Sequence, residues 1–370
     1  MISRNVPFFE YPRLWSDDKE DLLSIIDNVS STGGFILQKA VSDFESELAD
    51  YAGINYSVGV GNATDGMEIF LEAIGLNPGD EVIISSHTML ATASAIKVAG
   101  GIPVPVDIGD DNLISVSAIE NAITTNTVGV MPTQLNGRIC DMQSILILAE
   151  KHGLFITEDA AQALGSRYKG QHAGTFGLAS DISFFPAKVL GCLGDAGGVL
   201  VNDEALYHQI YQLHDHGRDT DGEVKRWGRN SRLDNIQAAI LSHKLKSYDL
   251  IIARRREVAQ IYQDRLGDLD ELQLPPPPEI NGNNFDVYQN YELQADDRDN
   301  LKAYLSKNEI GTLIQWGGTA IHQFISLGFT QECPRTDRFF ERCLMLPMNV
   351  FISNDDVDYV CDKVIEFYRS

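Results

Sequence analysis

The chain has 370 residues, 44% hydrophobic and 22% charged, an ordinary globular composition with room for one large domain and a smaller one beside it. Its 53 acidic and 29 basic residues leave a formal charge of -24, which argues against nucleic acid or an anionic membrane as a partner, since both recruit basic surface. The start MISRNVPFFEYPRLW lacks a signal-peptide pattern, no apolar run approaches a membrane span, and Cys140, Cys192, Cys333, Cys343 and Cys361 include no C-x-x-C pair, so a soluble, cytoplasmic chain with reduced thiols and no metal site is expected.

In chain order, a helical pattern over 17–29 comes first. Seven β-branched runs bounded by Gly, Pro, Asn or Asp then read as buried strands: 56–61, 81–86, 102–107, 127–133, 154–159, 182–187 and 197–202. Helical patterns such as 64–75, 88–99 and 141–152 fall between them, which predicts an α/β fold with a mostly parallel seven-stranded sheet flanked by helices. A long helical pattern follows from Ser231 through the segment ending QDRL, and the rigid run Pro275 to Pro278 marks a seam. The expected division is a large α/β domain over 1–245 and a smaller α+β domain over 246–370, with the N-terminal helix packing on the small one.

Ligands of open parallel sheets bind at the carboxyl ends of strands, so the residues after each apolar run matter most. GVGNATDG (59–66) passes from a strand to a hydroxyl at Thr64 and a helix start, a phosphate cradle or simply a capped turn. LFITEDAAQALG ends on Asp159, a carboxylate that would need a positive partner in an apolar floor unless it only caps a helix. In DISFFPAKVLGCLGDAGG (181–198), Lys188 stands among small and apolar neighbours, where burial would turn an ammonium into a nucleophilic amine; the alternative is a lysine snorkelling to the surface. HGRDTDGEVKRWGRNSRLD (216–234) gathers Arg218, Lys225, Arg226, Arg229 and Arg232, which could meet phosphates or form a solvated mixed-charge loop with the acids among them.

Together SFFPAK, EDAAQA, GNATDG and NSRLDNIQAA resemble the DegT/DnrJ/StrS-type sugar aminotransferases, pyridoxal-5'-phosphate enzymes of fold type I, and the resemblance runs from GGFILQKAVSDFESELADYAG (33–53) to the C-terminal helix. It implies that Lys188 forms the Schiff base with the cofactor, Asp159 pairs with the pyridine nitrogen and Gln162 contacts the ring hydroxyl. It also implies that Ala63, Thr64 and Ser183 hold the phosphate and that Asn230 reaches the phosphate of the neighbouring subunit, making a homodimer with shared active sites. Met89 stands where the family commonly stacks an aromatic residue on the ring, and the family's H-L-Y-G segment is here Gln134, Leu135, Asn136 and Gly137.

The reaction implied moves an amino group from an amino acid, L-glutamate, to a nucleotide-linked keto-sugar, with Lys188 as both tether and general base. LGCLGDAGG after the lysine resembles the branch acting at sugar C3, so a dTDP- or UDP-linked 3-keto-hexose is the expected acceptor. Trp316 and His322 in QWGGTAIHQ would line the sugar side, and Arg218 and Arg229 would meet the diphosphate. The alternatives are a sugar 4-aminotransferase and a non-catalytic regulatory paralogue. A related dehydratase would carry histidine in place of Lys188, and a nicotinamide enzyme would need a G-x-G-x-x-G fingerprint.

Overall fold

In the computed structural model, which describes residues 4–279 and 282–369, two helices precede the first strand: α1 (Tyr11–Thr32) and α2 (Lys39–Ala52). Each ends on a glycine in left-handed backbone, Gly33 and Gly53, which lets the chain reverse without strain. Then β1 (Tyr56–Val60), α3 (Ala63–Ile74), β2 (Glu81–Ser85), α4 (Leu90–Val98), β3 (Ile102–Val106), α5 (Val116–Ala122), β4 (Thr127–Met131) and α6 (Met142–His152) alternate. A strand interrupted at Thr157 follows as β5 (Phe155–Ile156) and β6 (Glu158–Asp159), with a hairpin of β7 (Arg167–Tyr168) and β8 (Gln171–His172) behind it. The chain returns to the sheet as β9 (Ala179–Ser183) and β10 (Gly197–Val201) and leaves in α7 (Glu204–His214).

Pairing gives the order β3-β2-β4-β5 and β6-β9-β10-β1, with β10 antiparallel to both its neighbours and the other pairs parallel. Thr157 N–H donates to the Val130 carbonyl at 3.2 Å and Asp159 N–H to the Pro132 carbonyl at 3.0 Å, so the broken strand joins both halves into the expected mostly parallel seven-stranded sheet. One face buries Val58, Val82, Ile84 and Val199 against Met67 and Phe70 of α3 and Ile96 of α4. The other buries Ile83, Val130 and Leu200 against Phe44 of α2 and Leu148 of α6. Each such side chain removed from water contributes about 1.5–3 kcal/mol, which drives the three-layer packing.

The C-terminal part comprises α8 (Asn235–Leu245), α9 (Tyr248–Leu266), β11 (Leu272–Gln273), β12 (Asn284–Phe285), β13 (Tyr291–Ala295), α10 (Arg298–Lys307), α11 (Pro334–Arg342), β14 (Cys343–Leu346) and α12 (Asn354–Arg369). A second core gathers Tyr262, Leu266, Leu293, Leu301, Leu305, Leu344, Val357 and Val360. Among the described residues no helix is long and apolar enough to cross a membrane.

Three local expectations change. The long helix begins at Asn235 and breaks at Ser247, whose hydroxyl bonds to the Lys244 carbonyl at 3.3 Å and competes with the helical ladder. The proline run is not a seam: β11 before it pairs with β13 after it, and α9 feeds both cores, Ile252 entering the first and Tyr262 the second. The N-terminal helix is longer than expected; its body lies along α8, while Arg13 near its start reaches the Phe351 ring of the C-terminal part at 4.7 Å.

Candidate active site

The carboxyl ends of β1, β4, β6 and β9 converge on a cleft of about 450 Å³, with Asn62, Ala63, Thr64, Thr88, Met89, Thr133, Asp159, Gln162, Ser183, Lys188, Asp195 and Trp316 among the residues around it. After β1, Asn62 caps α3 by accepting the Asp65 N–H at 2.9 Å, which leaves the first helical amides at Ala63 and Thr64 on the cleft side. Gly197 makes this approach possible, because a Cβ there would stand 2.5 Å from the Asn62 carbonyl carbon and 2.6 Å from Ala63 N. Unpaired amides at a helix start suit a phosphate.

Asp159 ends β6 with 4% of its surface exposed. No helix follows it, so it is not a cap. Its Oδ2 accepts the Thr92 hydroxyl at 2.6 Å and its Oδ1 the Ala161 N–H at 3.2 Å. Thr92 is linked through Thr88, at 2.8 Å, to Thr133, at 2.7 Å, a hydroxyl chain that crosses the floor. Gln162 is oriented by its Oε1, which accepts the Asn136 N–H at 2.8 Å; Asn136 has φ 59°, a conformation asparagine tolerates better than most residues.

Lys188 lies just beyond β9 in a turn closed by its own N–H on the Phe185 carbonyl. Gln289 brackets it: the amide donates to the Ala187 carbonyl at 2.8 Å and accepts the Val189 N–H at 2.9 Å. Buried Arg255 holds that clamp by donating to the Tyr288 and Gln289 carbonyls. Burial pushes the Lys188 ammonium below the ordinary lysine range, against the pull of Asp159 and Asp181. The arrangement is a nucleophilic amine between an anionic floor and a helix start, with Met89, 52% exposed, at the lip.

Several sequence-predicted residues therefore meet: Ala63, Thr64, Met89, Asp159, Gln162, Ser183, Lys188 and Trp316 all line the cleft. Four others do not line it within this chain. The Arg229 guanidinium is taken up by Glu68 and Glu72 of α3 at 2.5 and 2.6 Å, and Arg218, partly exposed, lies 3.5 Å from Asp215. His322 is buried with Nδ1 2.5 Å from the Ser86 hydroxyl and Nε2 2.9 Å from Asp337, a bolt between segments. Asn230 is exposed, bridged to Asp215. Sequence reasoning missed Thr92 and Gln289, and named Asn136 only as part of the altered H-L-Y-G segment; Thr92 carries a faint signal, four residues after Thr88, and Gln289 carries none.

The profile of the DegT/DnrJ/EryC1/StrS aminotransferase family matches residues 16–365. The chain belongs to this family. It is an aminotransferase, and the family depends on pyridoxal 5'-phosphate. Among relatives, a protein described as a pleiotropic regulatory protein from Geobacillus stearothermophilus is 35% identical over 99% of both chains. The dTDP-3-amino-3,4,6-trideoxy-alpha-D-glucose transaminase of Micromonospora megalomicea subsp. nigra is 36% identical over 96% of both. The crystal structure of S. venezuelae DesV in complex with a ketimine intermediate matches with a TM-score of 0.94, 32% identity and 99% coverage of both chains. The aminotransferase cleft fits the family's cofactor on its own terms, because the buried Asp159 carboxyl at its floor shares the cleft with the Lys188 amine and the start of α3. A cationic ring nitrogen would pair with Asp159.

Proposed function

We propose that this aminotransferase transfers the amino group of L-glutamate to the keto group at C3 of a dTDP- or UDP-linked hexose. When bound, pyridoxal phosphate supplies a carbonyl that condenses with amines and a ring that takes up the electron pair left by deprotonation. Lys188 Nζ would tether that carbonyl and, as a free amine, would take and return the proton of the amino-acid carbon. Asp159 would pair with the ring nitrogen, and the Gln162 amide, anchored at its oxygen by Asn136, would be left with its nitrogen to donate to the ring hydroxyl. The amides of Ala63 and Thr64 with the Ser183 hydroxyl would hold the phosphate, Met89 would pack on the ring, and Trp316 would border the sugar.

The observation that carries this reading is one cleft that brings together the buried Lys188 amine, the Asp159 carboxyl and the start of α3 at Ala63 and Thr64. The activity of the Micromonospora relative, a 3-amino sugar transaminase, supports the C3 position. A homodimer with Asn230 lent to the neighbouring site is part of the proposal. Met89 at 52% and Phe185 at 48% exposure leave apolar surface at the cleft mouth that a second subunit would cover. Residues 1–245 form the cofactor-binding unit and 246–370 the smaller one, working in the cytoplasm, where five free, buried thiols stay reduced.

The test is direct. Purified protein reconstituted with pyridoxal phosphate and treated with borohydride should carry the reduced cofactor on the peptide containing Lys188. Matched 3-keto and 4-keto nucleotide sugars offered with glutamate then decide the position; exclusive amination of the 4-keto compound refutes C3. The regulatory name of the Geobacillus relative favours a second reading, a cofactor-binding regulator. A loaded protein that turns over neither sugar nor glutamate would select it.

A further inference from the structure

Below the cleft floor lies a carboxyl group that the reaction as described does not use. Asp181 is the register partner of Asp159 on the neighbouring parallel strand, so the two side chains leave the sheet on the same face, from backbones roughly 4.8 Å apart. Ser183, two residues on, shares that face and reaches the cleft, which places Asp181 one step beneath it. Asp181 is fully buried, and neither of its carboxylate oxygens has a hydrogen-bond partner, whereas Asp159 accepts two.

We propose that Asp159 and Asp181 act as one carboxyl dyad that holds a single proton under the cleft, with Asp181 carrying the proton and Asp159 left as the anion. The proposal rests on Asp159 facing the cofactor ring. Two carboxylates this close cannot both ionise in a dry interior, and the proton goes to the one with no donors. Burial and the Asp159 charge both push the Asp181 carboxyl well above the usual carboxylate range, while Lys188 pulls the other way.

The groups around Asp181 leave no other candidate for the partner. From β6 it meets Asp159 and, more weakly, Glu158, which is itself tied to Gln134 and to three backbone amides. Lys188 is the cation. Its neighbour on β10 is Val199, and α3 turns Gly66 toward it, where an added Cβ would stand 3.6 Å from the Asp181 Cβ; the α3 acids Glu68 and Glu72 are spent on Arg229.

Asp181 is a positioning residue: it acts through Asp159 and Lys188. With one proton in the dyad, the floor shows a single negative charge, enough to keep a ring nitrogen protonated. A second charge would shift Lys188 further towards the ammonium form, which can neither tether a carbonyl nor take a proton.

Infrared spectroscopy of the cofactor-free protein tests this. The wild type should show the carbonyl stretch of a protonated, buried carboxyl group near neutral pH, shifted in heavy water, and Asp181→Asn should lose it. Asp159→Asn should keep the band but lose it at a pH lower by about one unit or more, because the repelling charge is gone, and Lys188→Ala should move the midpoint up. In the holoenzyme, the visible band of the bound cofactor should show an alkaline transition in the wild type that Asp181→Asn lacks. Absence of the band in wild type, its survival in Asp181→Asn, its loss from Asp159→Asn at every pH, or a midpoint indifferent to Asp159 would overturn the dyad. If Asp181→Asn does not fold, the wild type, Asp159→Asn and Lys188→Ala still decide it. Should Asp159→Asn hold the cofactor as tightly as wild type, the ring-nitrogen reading fails, while the cofactor-free spectra judge the dyad separately.

Discussion

The floor of the cleft and the strap at its rim are held by different means. On the floor, Asp159 ends β6, Lys188 follows β9 within five residues and Ala63 and Thr64 open α3, so a sheet with satisfied backbone bonds sets each position. On the rim, Trp316, Gly317 and Gly318 run through left-handed backbone at φ 48°, 71° and 81°, and the strap is pinned by side chains, His322 on Ser86 and Asp337. Regular elements fix catalytic groups to within the tolerance that chemistry needs, whereas a strap of turns fixes shape and can be rebuilt for another substrate. Changes on the floor should therefore act on the chemical step, and changes on the strap on substrate affinity and stability.

The sharpest break in that comparison is Lys188→Ala. It should remove at least about a thousandfold of turnover in both half-reactions while the protein still binds pyridoxamine phosphate, since tether and proton carrier are lost together. Single-turnover spectroscopy with glutamate checks it. In the wild type, capture of pyridoxal phosphate by the cofactor-free protein should rise with pH and level off below the ordinary lysine range, because capture needs the neutral amine and burial lowers the proton affinity of Lys188. A plateau only in the ordinary lysine range would contradict the buried amine.

Asp159→Asn comes next, with an expected loss of about a hundredfold or more in kcat and a smaller loss of cofactor affinity, because an amide cannot stabilise a cationic ring nitrogen as a carboxylate does. Equal rates would reduce Asp159 to a structural acceptor for Thr92.

How far each side is legible in the sequence follows the same division. LFITED changes from apolar to acidic at the sheet edge, so Asp159 marks itself, and Lys188 does so by standing among small neighbours. Asp181 is hidden because the expected strand starts at Ile182, whereas the sheet takes up Ala179–Ser183; ASD carries no β-branched signal, and pairing with β10 and β6 overrides local preference. The break at Ser247 is invisible because apolar spacing continues through it. His322 misleads for another reason: a histidine near a cleft reads as a ligand group until its two partners, 236 and 15 residues away in the chain, are known.

Gln289→Ala crosses the two regions, since a residue from the lead-in to β13 clamps the turn that carries Lys188. We expect kcat to fall about tenfold in the glutamate half-reaction with the cofactor still attached, the effect of a nucleophile left loose. No change would mean that the turn holds Lys188 unaided.

The smallest kinetic effects belong to the strap, and two neighbours there should part company. Trp316 lines the cleft, so Trp316→Ala should raise KM for the nucleotide sugar about tenfold, near 1.4 kcal/mol, while the glutamate half-reaction stays within about twofold. His322, six residues on, does not line the cleft and is 7% exposed. Replacing it with alanine removes the ring's bonds to the Ser86 hydroxyl and to Asp337, leaving Ser86 with the backbone N–H of residue 322 at 3.4 Å and Asp337 with the Gln323 amide at 2.6 Å. Losing two such side-chain bonds costs about 1–3 kcal/mol, so His322→Ala should lower the urea midpoint with both half-reactions within about twofold of wild type. If His322→Ala instead raised KM for the sugar as much as Trp316→Ala does, the ring would belong to the substrate side after all, and the strap could not be regarded as shape alone.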